Sequence, residues 1–273
     1  MIDCFTLIGV LCIGEGFLLP NIKQSIIFLK QIKNMKVRIK YPESLDDITL
    51  KQYLQIEKLG DTITARDIIE ILCEVNIDID LIPEDVLNNY SYRAVEAISI
   101  KGDTTTSSFK LDGLELMFEE DINKITYGAN KDCLTYFSDW SDMHKAMAVL
   151  YRPSNDGVIT EYLGTSKYGE LMLQTPMSKV LAAQEEFMKL NKAMQQYYPS
   201  LFSPSGGGDE FSLEANFGRR WSSYSEMLTL ASGDPIRIKD AVKMNVHEAY
   251  TFLAYTVDKN KMENARVKQN LNK

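Results

Sequence analysis

Apolar residues recur every three to four positions through most of the chain after residue 48 and alternate in only a few short places, so helices are predicted to dominate. Residues 36–41 (KVRIKY) alternate as a short strand should, and Pro42 stops it. Thr49 can cap a helix from Leu50 that carries Leu50, Tyr53, Leu54 and Leu59 on one face and ends at Gly60. Thr64 caps a second helix with Ile68, Ile69, Leu72 and Cys73 as its buried stripe. Pro83 suits the first turn of a third helix, which YRAVEAI continues. A polar cluster (KGDTTTSS) then leads into FKLDGLELMF, which reads as a hairpin around Asp112–Gly113. Residues 119–140 read as mixed loop and short helix. SDWSDMHKAMAVLYRP reads as an amphipathic helix facing the core with Trp140, Met143, Met147, Leu150 and Tyr151, and Pro153 ends it.

The strongest helical pattern is TPMSKVLAAQEEFMKLNKAMQQYYP. Thr175 caps it, Pro176 takes its first position, and Met177, Val180, Leu181, Phe187, Met188, Met194 and Tyr197 form its stripe. SPSGGGDE follows as a flexible loop. A helix through RWSSYSEMLTLA comes next. The last helix opens at Asn245, with Glu248 at capping-box spacing and Tyr250, Leu253 and Ala254 on its apolar face.

These elements predict a mainly α (α+β) fold, a multi-helix domain with a small β-hairpin region. Residues 35–138 form an N-terminal helical region containing the hairpin, and residues 139–273 form a C-terminal helical region with a Gly-rich loop at 203–209. Residues 1–34 differ from the rest. Their apolar run carries Asp3 and Glu15, which suits neither a signal peptide nor a membrane span. The following NIKQSIIFLKQIKNMK uses few residue types, whereas Met35 opens a strand and a capped helix. The segment is read either as an upstream extension, the working protein starting at Met35, or as an N-terminal hydrophobic helix. One pattern occurs twice, as GDTITARDIIEI from Gly60 and GDPIRIKDAVKM from Gly233. Each reads as a helix–turn–helix corner: Gly supplies a left-handed stop, and Asp67 or Asp240 sits in the next first turn. Duplication and chance both account for the four identities.

Charge narrows the partners. Thirty Lys and Arg against 38 Asp and Glu leave a net charge of −8, which argues against nucleic acid as the main partner. Only the end leans basic, with Lys259, Lys261, Arg266, Lys268 and Lys273 against Asp258 and Glu263, as a helix C-terminus favours. Cysteines at 4, 12, 73 and 133 have neither zinc-site nor disulfide spacing, so free thiols in a reducing compartment are expected.

The search for chemistry finds no catalytic motif. His247–Glu248 begins a zinc-protease pattern, but Thr251 stands where the second histidine is needed, and His144 has no partner at local spacing. SGGGD lacks the Lys-Ser/Thr ending of a phosphate loop, and GAN after Tyr127 reads as a turn. Glu119, Glu120 and Asp121 could hold a cation only if they converged, and a solvated loop is the simpler reading. No catalytic residue, cofactor or metal is therefore assigned. In FGRRWSSY, Arg219 and Arg220 stand beside Trp221 and Tyr224, the residue types favoured at protein–protein hot spots, so these four are the candidate partner-binding residues. Methionines at 143, 147, 172, 177, 188, 194, 227 and 244 lie on helical stripes, where they suit either core filling or a surface that repacks around a partner.

PESLDDITLKQYLQI, KITYGANKDCLTYFSDWSDMHKAMAVLYRP and DAVKMNVHEAYTFLAYTVDK together resemble a set of tailed-bacteriophage tail-assembly-chaperone and tail-morphogenesis proteins, over most of residues 35–273. The resemblance implies a non-enzymatic virion-assembly protein in the host cytoplasm that binds helical segments of a tail component. A permanent virion component, such as a neck or tail adaptor, is the alternative it leaves open. The partners implied are other phage tail or virion proteins, with no nucleic acid and no membrane, and a homo-oligomer is compatible with either reading.

Overall fold

Thr49 and Thr64 start the first two helices by the same device. In α1 (Leu50–Leu59) the Thr49 hydroxyl accepts from Gln52 N, and the Gln52 side chain accepts from Thr49 N. In α2 (Ala65–Leu72) Thr64 and Asp67 repeat the exchange. Each box satisfies N–H groups that a helix start leaves without partners. Gly60, at φ +50, ends α1, and α2 buries Ile68, Ile69 and Leu72. The third helix, α3 (Glu84–Ile98), follows Pro83. The computed structural model describes residues 38–202 and 213–271, with the side chains of 213–216, 218 and 219 left out. The readings of residues 1–34 and of the Gly-rich loop at 203–209 lie outside the described residues.

Two small antiparallel sheets accompany the helices. β1 (Ile39–Lys40) pairs with β2 (Glu74–Val75). The other has the order β3 (Phe109–Leu111), β4 (Leu114–Phe118), β5 (Tyr151–Asn155), β6 (Val158–Ile159). Asp112 and Gly113, at φ 48 and 76, make the expected two-residue turn between β3 and β4, which requires positive φ at both positions.

The second half of this sheet corrects the reading of residues 138–153. A 3-10 turn at Trp140–Asp142 precedes α5 (Met143–Leu150), and the helix stops before Tyr151. Tyr151, Arg152 and Pro153 are strand residues opposite Phe118, Met117 and Leu116. Tyr151 is pinned edge-on between Phe109 and Phe118, at centroid distances of 4.7 and 5.3 Å. Pro153 has no N–H to give, but its carbonyl accepts from Thr160 N at 2.9 Å. Asp156–Gly157, at φ 52 and 79, turns β5 into β6 with the same dipeptide as the first hairpin.

Two further readings are corrected. GAN is not a turn but part of the first turns of α4 (Tyr127–Tyr136), capped by Thr126. And α6 (Met177–Tyr197) begins one residue later than read, because Thr175 is fully buried with its hydroxyl 3.7 Å from Met172 Sδ and makes no cap.

What replaces that cap organises the molecule. Met177 N donates to Ile48 O at 2.7 Å, and Leu50 N donates to Thr175 O at 2.9 Å, so the starts of α1 and α6 exchange hydrogen bonds. The same exchange joins α4 to α10 (Val246–Leu271), by Tyr127 N to Met244 O at 2.8 Å and Val246 N to Ile125 O at 3.1 Å. In both pairs the residues just past the bridge are fully buried: Leu50 and Met177, Tyr127 and Val246. The first pair lies in a main core running from Leu45 to Phe187. The second lies in a smaller core of Tyr127, Met194, Tyr198, Leu230, Val246, Tyr250 and Leu253. α4 contributes to both. Between α6 and α10 the chain passes through α7 (Pro199–Phe202), α8 (Leu213–Leu230) and α9 (Ile238–Ala241).

The two Gly–Asp corners differ beyond the glycine. Gly233 has φ +82, as Gly60 is positive, but the second corner leads through a 3-10 turn capped by Asp234 into only the four residues of α9. The loop 101–108 is tied to α6 by Lys179 Nζ, which reaches Asp103 at 2.6 Å and Ser107 at 2.7 Å. The bond from Lys179, followed by those from the Thr105 hydroxyl and N–H, holds the Asp103 carboxyl down to about 2.

Gly128 lies in the second exchange. Its N–H donates to Val242 O at 2.8 Å, and a Cβ there would stand 3.1 Å from that oxygen and 3.1 Å from Val242 Cβ. Gly128→Val is therefore expected to destabilise the protein by about 1–3 kcal/mol through overpacking. Thermal unfolding by circular dichroism checks this, and an unchanged midpoint contradicts it.

Candidate functional site

Only the C-terminal half of α8 is packed: every described side chain from Phe217 to Tyr224 is exposed, whereas those from Ser225 to Leu230 are half-buried or buried. Leu230, with Ala231 just beyond it, joins the second core, and Met227 packs against that core. Glu226 fixes the helix: the Tyr127 hydroxyl donates to its carboxylate at 2.5 Å, and Lys131 Nζ lies 2.5 Å from the same oxygen. Lys131 also stands over the Tyr127 and Tyr250 rings, at 5.4 and 5.9 Å. Beneath it, Asn130 Nδ2 donates to the Tyr250 hydroxyl at 3.0 Å, and the Tyr127 and Tyr250 rings meet edge to face at 5.8 Å. Tyr198, after α6, closes the cluster through His247 and Thr251. His247 is thus half-buried.

Burial pushes the Tyr127 phenol far above its usual value, and the bond to Glu226 adds to the shift. Burial likewise pushes Tyr250 up to about 12, with the Glu226 charge second and Asn130 opposing.

The outer face of α8 carries Phe217, Trp221 and Tyr224, exposed by 61%, 40% and 41%. Their spacing of four and three residues puts them on one stripe. Trp221 and Tyr224 meet at 5.9 Å with planes 67° apart, and the Arg220 guanidinium lies 5.2 Å over the Trp221 ring. The structure thus brings together Arg220, Trp221 and Tyr224 of the predicted group. The side chain of Arg219 lies outside those described. Phe217 was missed, although its position four residues before Trp221 was the available signal.

Elsewhere the sequence candidates scatter into structural roles. Glu119 pairs with Arg152 at 3.1 Å, both nearly buried, and Arg152 also donates to Thr160 O, tying β5 to the residues after β4 and β6. Burial pulls the Arg152 guanidinium below its usual value, and Glu119 opposes that shift. Asp121 instead caps the turn at Asn123, so the three adjacent acids do not converge. A cavity of about 220 Å³ beside Arg152 is lined by Cys133, Leu150, Tyr162 and Phe187 among others. Burial pushes the Cys133 thiol well up, and the Cys73 thiol to about 11. Among the described residues no group of three or more His, Cys, Asp or Glu is placed to hold a metal, and no helix is long and apolar enough to cross a membrane. Of the stripe methionines, 143, 147, 172, 177 and 194 fill the core, whereas Met188 is 40% exposed.

No family model, curated protein or solved structure matches the chain.

The tyrosine cluster under α8 has a pH signature. Folding favours the protonated phenols, so their contribution is complete below the ordinary value near 10 and is lost as pH rises through the folded values. For Tyr250 the loss is about 2–3 kcal/mol by pH 12, at about 1.4 kcal/mol per unit. Tyrosinate absorbance should then show a late group that ionises together with unfolding. A single step near pH 10 for all 14 tyrosines, with the fold intact, contradicts it.

Proposed function

We propose that the protein is a non-enzymatic bacteriophage virion-assembly factor, a tail-assembly chaperone that receives a helical, apolar segment of a tail component on the α8 face. The observation that carries this reading is the exposed stripe of Phe217, Trp221 and Tyr224 on a helix whose C-terminal half is bound to Tyr127 and Lys131 through Glu226. Exposed aromatics tax solubility without adding to the core, whereas at an interface they supply large contact area at low entropic cost. Arg220, stacked on Trp221, is already ordered for a partner's carboxylate or carbonyl. The partner is a helix because the α8 stripe presents ridges into which a second helix packs, as in helix-to-groove recognition. The resemblance over most of residues 35–273 to tail-assembly proteins suggests the assembly in which the partner is sought.

Expression together with the virion genes that neighbour its own provides the test. A tail component co-purifies with the wild-type chain, and Trp221→Ala weakens that complex by at least about 30-fold, the factor corresponding to a 2 kcal/mol hot spot. The unfolding midpoint stays unchanged because the side chain lies outside the core. Equal binding by Trp221→Ala and Tyr224→Ala removes the α8 face from the account. Stoichiometric recovery of the protein in purified particles assigns it instead to the permanent virion.

A further inference from the structure

The last helix outruns the fold. Only Val246, Ala249, Tyr250 and Leu253 of α10 are buried, and from Asp258 to Leu271 every residue is exposed. Those 14 residues extend about 20 Å beyond the core at 1.5 Å per residue. A helix of that length with no packing is marginal in water. It nevertheless presents Met262, Val267 and Leu271, exposed by 46%, 56% and 80%. Its own ion pairs are weak, with Lys259–Glu263 and Lys261–Asp258 both at 3.9 Å. Arg266 and Lys268 have no acidic partner among the described residues.

Charge selects what covers it. Residues 258–273 hold five Lys or Arg against two Asp or Glu, which leaves 25 against 36 for the remainder of the chain. The surface most complementary to this helix end is therefore the body of another copy. That body offers a receiving site beside α6. A groove of about 370 Å³ runs between the first turns of α6 and the turn at Lys101–Thr104. Leu45, Ala182, Leu181 and Met188 give it apolar walls, the last two exposed by 37% and 40%. Leu181, Glu185 and Met188 share one face of α6, at helical spacing. Glu185 lines the groove and Asp46 accepts from Ser178 Oγ on its wall, against Lys101, while the neighbouring Lys179 is paired with Asp103.

We propose that the projecting end of α10 from one copy lies in the α6 groove of a second copy, with Met262 among the groove's apolar side chains and the basic residues toward its acids. Because the two surfaces differ, the contact is heterologous and passes from copy to copy, generating a ring or a filament rather than a closed twofold dimer. Self-association of this kind goes beyond the α8 reading and does not depend on it.

Light scattering coupled to size exclusion on the full chain tests the proposal. The wild-type mass grows with concentration at about 0.1 M salt and falls at about 1 M, where screening shortens from about 10 Å to about 3 Å. Arg266→Glu with Lys268→Glu, and separately Met188→Asp, each weaken association at least about tenfold. All three positions are exposed, so the variants fold, which circular dichroism verifies. Mixing the two variants restores a one-to-one dimer, because each keeps one intact end. A wild-type chain that is monomeric under all these conditions overturns the proposal. So does a mixture that stays monomeric, or a monomer whose α10 end binds a nucleic-acid oligonucleotide instead.

Discussion

Helix starts carry N–H groups that their own helix cannot satisfy, and among the described residues four buried starts are joined in pairs. Burying them unpaired would cost several kcal/mol in total. The chain satisfies them in pairs, Leu50 with Met177 and Tyr127 with Val246, each helix lending a carbonyl just before its start to the first turn of the other. Each exchange is short and antiparallel, and each is followed on both strands by a fully buried side chain. The main core forms around one pair and the smaller core around the other, with α4 shared between them. Every surface argued to meet a partner is what remains outside these two knots.

That arrangement explains why α8 can display aromatic residues without loosening. The C-terminal half of α8 is pinned to α4 by Glu226, and α4 is pinned to α10 by the second exchange, so the helix that carries Trp221 and Tyr224 is anchored at that end. Preorganisation of this sort turns exposed area into affinity, because less ordering remains to be done on binding. The α10 end follows the opposite logic. It is rooted by Tyr250 and Leu253 and then leaves the body, so it can reach a neighbour that a compact helix could not.

Local signals were legible in the sequence. Thr49 with Gln52 and Thr64 with Asp67 announced their helices, and Asp112–Gly113 announced its hairpin, because each feature involves residues within a few positions of one another. The strand at Tyr151–Asn155 was hidden because Met147, Leu150 and Tyr151 continue a helical period. Only its distant partners Phe118 and Phe109 decide otherwise. Asp156–Gly157 carried the same turn signal as the first hairpin and could have revealed it. Thr175 looked like a cap, yet carbonyls from residues 45 and 48 took the role, over a hundred positions away. Gly128 looked like a turn, whereas its missing side chain admits Val242. The α8 stripe was partly legible through Arg220, Trp221 and Tyr224, but which helical face stays uncovered depends on packing that no local pattern records.

Amide hydrogen exchange resolved to single residues tests the paired starts most directly. First-turn amides of a helix ordinarily exchange fast, having no intrahelical acceptor. The exchange geometry predicts that Leu50, Tyr127, Met177 and Val246 are protected like amides from the middle of α6, and that they open only with global unfolding. Rapid exchange at these four positions in an otherwise protected protein would contradict the architecture on which the partner surfaces rest.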